Sequence, residues 1–426
     1  MKRKLFSIFC AAAVLMGLLG GCGSGVVGIR EASINSNGEL ILYYTDGTSQ
    51  NLGKVTGSDG RDGKDGLDGT DGKTQLVSGV EEASTKALRS VVAITAGFTK
   101  FSSKPSNEEL YYTEGSGVIY QLDRQTGNAL ILTNYHVVYD KNSSTGISQN
   151  LMLYLYGADH EHLGIPAEYI GGSMYYDLAV LQVKDCEVLK GDTYMAATLS
   201  DSEQVTVGSV AIVAGNPKGY GFSATSGVIN VDSEYVDVTA ANGRTSVTLR
   251  VIRADAAVNS GNSGGGLFND AGELIGIVSA KVAYEGVDNI GYAIPINLAV
   301  TVAENILYYC LDTDLKTVQR PELGITTQVS QARAVYDEET GGIRILEEVT
   351  VSKIKKGSLS EGIVQEGDRL IRIAVNGKEQ MITRKYHGED LVLEAHVGDV
   401  VYLTVEREGQ ILTLELEITV MALNNY

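Results

Sequence analysis

Short β-branched segments punctuated by glycine run through the chain between residues 83 and 310. Their apolar and polar positions alternate, which is the period of a half-buried strand. Such segments occur at residues 90–96, 117–120, 149–156, 205–213, 245–252 and 274–280. Many short strands with frequent turns are typical of sandwiches and barrels, so we expect a mostly β protein. Apolar residues at helical spacing over residues 297–311 predict a helix that ends this region.

A glycine-crowded turn, Asn-Ser-Gly-Asn-Ser-Gly-Gly-Gly-Leu-Phe, occupies residues 259–268. Backbone N–H groups can converge on an oxyanion only where side chains are absent and unusual φ/ψ values are allowed. The turn therefore fits a nucleophile, Ser263, with the N–H groups of Gly261 and Ser263 as an oxyanion hole. Taken alone, the segment is more typical of an ordinary polar loop.

A serine nucleophile needs a base, and the base needs an orienting carboxylate. His136 follows an apolar, strand-like run within residues 129–138, and Asp177 directly precedes an alternating apolar segment within residues 175–183. Alone, each would more often be structural. In the order His136, Asp177, Ser263 they match the chymotrypsin-type enzymes rather than the subtilisin or α/β-hydrolase types.

Six motifs surround these three residues in a consistent order. They are Gly-Ser-Gly-Val-Ile (115–119), Thr-Asn-Tyr-His-Val-Val (133–138), Asp-Leu-Ala-Val-Leu (177–181), Ala-Gly-Asn-Pro (214–217), Asp-Ala-Ala-Val-Asn-Ser-Gly-Asn-Ser-Gly-Gly (255–265) and Gly-Tyr-Ala-Ile-Pro (291–295). With these motifs the chain resembles the trypsin-like serine proteases of the HtrA/Deg group. The resemblance implies a chymotrypsin-like double antiparallel β-barrel over residues 83–311, with His136 and Asp177 from the first barrel and Ser263 from the second. It implies no cofactor and no metal ion.

Substrate preference depends on the primary pocket. A preference for Lys or Arg needs a carboxylate six residues before the nucleophile, where this chain has Ala257. The resemblance places Val258, Lys281 and Val282 at the pocket edge, which implies cleavage after small aliphatic residues. Lys281 replaces a commonly aliphatic residue and could either point outward or admit an acidic side chain. Gly266 replaces a frequent proline, and we expect it to make the loop more flexible.

Residues 321–421 carry a second set of motifs. They are Glu-Leu-Gly-Ile (322–325), Val-Ser-Lys-Ile-Lys-Lys-Gly-Ser-Leu-Ser (351–360) and Gly-Asp-Arg-Leu-Ile-Arg-Ile-Ala-Val-Asn-Gly (367–377). This region resembles a PDZ domain, in which an added peptide strand places its C-terminal carboxylate against loop N–H groups. Leu323, Gly324 and Ile325 match that loop, whereas Glu322 stands where an aromatic residue is frequent. A plain β-rich domain is the alternative.

The N-terminus has the layout of a signal peptide over residues 1–21, with a basic start and an apolar stretch. Leu-Gly-Gly-Cys (19–22) resembles a bacterial lipobox, which implies lipidation of Cys22. The apolar run is shorter than the ~20 residues of a membrane span, which disfavours a signal anchor. We therefore expect an extracytoplasmic protein anchored to the bacterial cell membrane through lipid.

Two segments separate this anchor from the protease region. Residues 22–56 contain an alternating run followed by Asp46-Gly47, which predicts a small hairpin. Residues 57–73 have glycine at every third position, a collagen-like pattern that lacks proline. The spacer is either a flexible acidic linker or a triple helix supported by a trimeric protease. The resemblance implies a homotrimer.

Net charge argues against some classes of partner, and the cysteine content limits the possible disulfides. The net charge of −19 argues against nucleic-acid partners and against electrostatic binding to anionic lipid. After processing, Cys186 and Cys310 remain for the folded region, and we expect buried thiols, although a disulfide between them stays open.

The resemblance implies a serine endopeptidase that degrades or processes misfolded envelope proteins. Its partners would be unfolded or C-terminally exposed polypeptides. Two alternatives remain open: a chaperone with a silent protease fold, and a scaffold that acts through the collagen-like spacer and the PDZ-like domain.

Overall fold

The computed structural model describes residues 27–55, 79–100, 109–157, 164–217, 221–280, 290–311, 313–338 and 341–425. The chain divides into two compact units, residues 1–75 and 76–426. The described part of the first unit is an antiparallel sheet in the order β1-β2-β3, formed by β1 (Ile29–Ile34), β2 (Glu39–Tyr44) and β3 (Ser49–Lys54). The predicted hairpin thus gains a third strand. The signal peptide, Cys22 and the collagen-like spacer lie outside the described residues.

The second unit begins with helix α1 (Gly79–Leu88) and a closed antiparallel barrel. Its strands are β4 (Val91–Thr99), β5 (Leu110–Asp123), β6 (Asn128–Thr133), β7 (Asn150–Leu155), β8 (Ile165–Ser173) and β9 (Leu178–Val183). They close in the order β4-β5-β6-β9-β8-β7. A short helix, α2 (Tyr135–Val138), follows β6. Inward-facing aliphatic side chains such as Ile94, Ile119 and Leu153 fill the barrel.

A second closed barrel follows. Its strands are β10 (Val210–Gly215), β11 (Ser223–Thr239), β12 (Ser246–Ala254), β13 (Gly266–Phe268), β14 (Leu274–Val278) and β15 (Gly291–Pro295). They close in the order β10-β11-β12-β15-β14-β13, so the predicted double barrel is confirmed. Helix α3 (Ile296–Cys310) lies where the sequence predicted it. Short 3-10 turns at Glu187–Lys190 and Ser202–Gln204 lie between the barrels in sequence.

The largest apolar core lies between the two barrels. It joins Leu132 and Val180 of the first barrel to Ile212 and Phe268 of the second, and Ile306 of α3 packs into the same cluster. Each of these five side chains is at most 1% exposed. Burial of this continuous layer holds the barrels in a fixed relation, which determines the geometry of the crevice between them.

The elements of the C-terminal domain are β16 (Gln319–Pro321), β17 (Ile325–Tyr336), β18 (Ile343–Ile354), β19 (Arg369–Val375), β20 (Lys378–Met381), helix α4 (Lys385–Val392), β21 (Val400–Arg407), β22 (Gln410–Glu417), a 3-10 turn (Val420–Ala422) and β23 (Leu423–Asn425). The main sheet has the order β17-β18-β19-β21-β22, and β20 also pairs with β19. Strand β23 returns to pair with β16. This β domain is consistent with the PDZ prediction.

Candidate active site

His136 and Asp177 meet because β6 and β9 are paired. Thr133, at the end of β6, lies opposite Ala179 of β9, so the residues after one strand and before the other come together. The imidazole Nδ1 of His136 is 2.8 Å from Oδ2 of Asp177 and 2.9 Å from Oδ1. The backbone N–H of His136 also donates to Oδ1 at 3.1 Å. The carboxylate is thus placed to fix the tautomer and the orientation of the imidazole.

Two further polar groups hold Asp177. Ser279 donates its hydroxyl to Oδ2 at 3.2 Å, and the amide of Asn134 donates to the Asp177 carbonyl at 2.9 Å. All three residues are at most 3% exposed. Neither Ser279 nor Asn134 was predicted from the sequence to contact Asp177. The available signal was a polar residue directly after an apolar strand, at the same barrel end as the predicted His and Asp.

Ser263 lies close to this pair, although among the hydrogen bonds of the described residues none joins its hydroxyl to His136. Ser263 Oγ instead accepts a hydrogen bond from the N–H of Ala280 at 3.1 Å. Ala280 directly follows Ser279, so consecutive residues contact Ser263 and Asp177. Through these two neighbouring contacts the structure brings the three predicted residues to one place.

The turn around Ser263 contains two glycines in the left-handed region of φ. Gly261 has a φ of 95° and Gly264 a φ of 84°, values that L residues with side chains rarely adopt. Neither the N–H of Gly261 nor that of Ser263 donates to an acceptor among the described residues. Both donors are consequently available for a developing negative charge.

Of the three predicted pocket residues, Val258 lies among the described residues. Val258 is half-buried against the core of the second barrel, and a Cβ on Gly291 would lie 2.6 Å from its side chain. Val258 and Gly291 are thus in close contact, with Ala257 exposed beside them. Lys281 and Val282 lie outside the described residues, so their predicted places at the pocket edge stay predictions.

Gly266 does not loosen the turn as the sequence suggested. It is the buried first residue of β13 and pairs with Ala214 and Ile277. A Cβ at this position would lie 2.3 Å from the ring of Phe268. The expectation of flexibility was wrong, because glycine here makes room for an aromatic ring inside a barrel.

Leu323, Gly324 and Ile325 line a cavity of about 310 Å³ in the C-terminal domain. The cavity lies between the start of β17 and helix α4, and Ile373, Val392 and other aliphatic side chains line it. The N–H groups of Leu323 and Gly324 have no acceptor within the described part of the chain. This groove can therefore receive an extended apolar peptide and hydrogen-bond its end.

The two remaining cysteines are free, buried thiols. Burial raises the pKa of Cys310 to about 11, so this thiol stays protonated at neutral pH. Within the described ranges, no three His, Cys, Asp or Glu side chains are grouped as metal ligands would be. Among the same residues no helix is both long and apolar enough to cross a membrane.

Comparison with known proteins gives a consistent result. The family profile of the trypsin-like peptidase domain matches residues 115–277. The serine protease Do-like HtrA of Lactococcus lactis subsp. cremoris (strain MG1363) is 30% identical over 335 residues, covering 74% of this chain and 74% of the relative. The Do-like HtrA and HtrB proteases of Bacillus subtilis (strain 168) are 31% and 33% identical, over 74% and 71% of this chain. The match spans 66% and 62% of those two relatives' lengths.

Among solved structures, an HtrA-type protease, AlgW, determined with a tripeptide, has a similar fold. The TM-score is 0.50 at 25% sequence identity, and the alignment covers 80% of this chain and 96% of that chain.

Proposed function

Because the chain belongs to the HtrA-type family of trypsin-like serine proteases, we propose that it is an endopeptidase with Ser263 as nucleophile. The observation that carries the proposal is the contact of Asp177 with both His136 and Ser279, while Ala280 holds the Ser263 hydroxyl beside them. An intact base, carboxylate and nucleophile at one crevice have no use in a chaperone with a silent protease fold.

The reaction follows from these positions. When a peptide occupies the crevice, the Ser263 hydroxyl turns from the Ala280 N–H towards His136. His136 takes the hydroxyl proton as Oγ attacks the scissile carbonyl carbon, and the resulting oxyanion accepts hydrogen bonds from the N–H groups of Gly261 and Ser263. The imidazolium, stabilised by Asp177, then protonates the leaving amine. Water hydrolyses the acyl-enzyme by the same steps.

The substrate class is a polypeptide cleaved after a small aliphatic residue. Ala257 stands where a preference for Lys or Arg would need a carboxylate, and Val258, which lies against Gly291, would form part of the pocket edge. A folded protein rarely offers an extended segment to such a crevice, so unfolded or misfolded envelope proteins are the fitting substrates. Lys281 and Val282 would complete the pocket edge.

The proposed setting follows from parts of the chain outside the described residues. Lipidation at Cys22 would anchor the enzyme to the outer face of the cell membrane, and the spacer at residues 57–73 would hold it away from the bilayer. A homotrimer fits both the family and this spacer. The C-terminal domain would bind exposed polypeptide C-termini through Leu323, Gly324 and Ile325.

The test compares wild type with Ser263→Ala on unfolded casein and on a peptide library. We expect wild type to cleave after Val or Ala, and S263A to lose at least ~10³-fold in rate. Ser90→Ala is the matched control, because this buried serine donates to the Ala87 carbonyl away from the site. Equal function of S263A and wild type would favour the chaperone or scaffold alternative, and cleavage mainly after Asp or Glu would reject the proposed specificity.

A further inference from the structure

We infer that Ser116 is a positioning residue that fixes the oxyanion loop, defined here as residues 259–265; the inference rests on the proposed protease function. Ser116 lies on β5 of the first barrel, whereas the loop belongs to the second. Its side chain is fully buried, at 0% exposure. A fully buried hydroxyl needs hydrogen-bond partners. The partners of this one are the carbonyl of Gly261 in the oxyanion loop and the N–H of Asn216.

Ser116 binds the oxyanion loop at two points. Its backbone N–H donates to the carbonyl of Ser263 at 2.8 Å, and its hydroxyl donates to the carbonyl of Gly261 at 2.7 Å. These are the two residues whose N–H groups form the proposed oxyanion hole. A single residue of the opposite barrel therefore holds the carbonyl of each donor residue.

A second segment completes the surroundings of the hydroxyl. The N–H of Asn216, directly after β10, donates to Ser116 Oγ at 2.9 Å. The hydroxyl thus accepts one hydrogen bond and donates one. A Cβ at Gly215 would lie 3.0 Å from this oxygen, so a side chain there would press on it. These contacts explain the motifs at 115–119 and 214–217, which the triad itself does not use.

Backbone packing keeps the loop and β5 in register. Thr133 donates its hydroxyl to the Ser116 carbonyl at 2.7 Å, and a Cβ at Gly264 would lie 2.1 Å from that same oxygen. The loop backbone therefore touches the β5 backbone, and the geometry leaves little room for the loop to shift as a body. Rotation of single peptide planes is the remaining freedom.

The Ser116 hydroxyl limits that rotation at Gly261. Glycine with φ at 95° can move to other regions at little cost, since it has no Cβ. The hydrogen bond to its carbonyl restrains the peptide that connects Gly261 to Asn262, and so restrains the direction of the neighbouring N–H groups. Catalysis by an oxyanion hole depends on donors that are aligned before the charge develops. Loss of the Ser116 hydroxyl should therefore weaken stabilisation of the transition state and leave substrate binding unchanged.

The variant Ser116→Ala tests this role in the full chain. We expect kcat to fall about tenfold to a hundredfold, less than the ~10²–10³-fold loss caused by removing an oxyanion donor, with KM changed by less than about twofold. The matched control is Ser148→Ala. Ser148 is a buried serine of the same barrel whose hydroxyl donates to the Gly97 carbonyl at 2.8 Å. The S148A substitution removes the same kind of hydrogen bond at a position outside the oxyanion loop, so the kcat of this variant should stay at the wild-type value.

Two measurements separate positioning from a general loss of structure. Thermal unfolding should show similar losses for S116A and S148A. A peptide boronate, which mimics the transition state, should lose affinity for S116A in proportion to kcat/KM, whereas a product peptide should bind as it does to wild type. If S116A does not fold, Ser116→Cys replaces it, and its weaker donor should lower kcat with KM unchanged.

The outcomes distinguish this inference from the proposed function. An active wild type with S116A, or folded S116C, equal in kcat to S148A would overturn the role of Ser116. A change confined to KM would overturn it as well. A wild-type chain that cleaves no substrate would instead reject the proposed protease function.

Discussion

At the scale of single residues, Asp177 combines a chemical and a conformational requirement. Its φ of 52° lies in the left-handed region, which Asp and Asn tolerate better than most residues with a Cβ. This turn directs the carboxylate back to the N–H and the imidazole of His136. A substitution that tests the carboxylate alone is therefore Asp177→Asn, since alanine would change the backbone preference too.

The hydroxyl of Ser279 supports this carboxylate, and Ser279→Ala should lower kcat/KM roughly tenfold, the effect of losing about one hydrogen bond to a charged group. The measurement is steady-state hydrolysis of a small aliphatic peptide substrate. Ser90→Ala again serves as the control, because it also loses a buried serine hydrogen bond. Unchanged kinetics in S279A would show that the contact with Asp177 does not assist the reaction.

His136, Asp177 and Ser263 could be predicted from the sequence because the three occur in a known order within a set of motifs, although each alone would more often be structural. Ser116, Ser279 and the Ala280 N–H were not predictable in the same way. Serine is common in this chain, and a backbone N–H carries no residue signature. The two serines act through contacts between segments more than a hundred residues apart, which appear only once the barrels are packed.

At the scale of elements, short apolar and alternating segments predicted most strands of both barrels. Alternation was only part of the signal, because strands such as β14 and β15 are buried along their whole length. The segment 205–213 was predicted too early, because Ser202–Gln204 forms a 3-10 turn and β10 begins at Val210. Turn chemistry set that boundary, and apolar alternation carries no information about it.

Helix α4 has two different faces. Lys385, Gly388 and Val392 line the apolar groove beside Leu323. On the other face, His387 contacts Glu203 of the second barrel region. One short helix therefore forms a wall of the proposed peptide site and part of the contact with the protease domain.

A peptide with an apolar last residue and a free carboxylate should bind this groove, and its C-terminal amide should bind at least about tenfold more weakly, because charge-assisted hydrogen bonds are lost. Fluorescence anisotropy with a labelled decapeptide measures both. Gly324→Ala should abolish binding, since Gly324 has a φ of 80° and a Cβ there would lie 2.0 Å from the Ser358 side chain. Equal affinity for acid and amide would contradict carboxylate capture.

At the scale of the whole molecule, a partly buried ionic cluster joins the protease domain to the C-terminal domain. Arg250, which is 6% exposed, forms an ion pair with Asp390 of α4 and lies 3.5 Å from Glu203. Tyr386 donates its hydroxyl to Glu203 at 2.8 Å, and its ring lies 3.8 Å from the Arg250 guanidinium. Charged and aromatic side chains thus link the C-terminal domain to the protease domain.

Burial alone would raise the pKa of Glu203, but hydrogen bonds from His387 and Tyr386 and the charge of Arg250 outweigh it and lower the pKa to about 2. A lowered carboxyl pKa gives stability that is present above the ordinary value of 4.5 and is lost as the pH falls towards 2. Burial raises the pKa of Asp390 to about 6, so the contribution of this carboxyl to stability falls as the pH rises, the reverse of Glu203. The pH dependence due to Glu203 is therefore measured with a substitution at Glu203 alone.

The expected result is that wild type is more stable than Glu203→Gln at pH 7, and that this difference shrinks between pH 5 and pH 3. Urea unfolding of both proteins at each pH measures it. Glu187→Gln is the control, because Glu187 pairs with Lys190 at the surface, where an ion pair contributes little. A difference between wild type and E203Q that is constant with pH would contradict the lowered pKa.

Covalent labelling would show whether Ser263 is an activated nucleophile. Folded wild-type protein is treated with a fluorophosphonate, and the adduct is located by mass spectrometry of the intact chain and of its peptides. We expect one adduct per chain, on Ser263, absent in S263A and strongly slowed in His136→Ala. If the folded wild-type chain gains no adduct, or gains it on another residue, Ser263 is not the nucleophile.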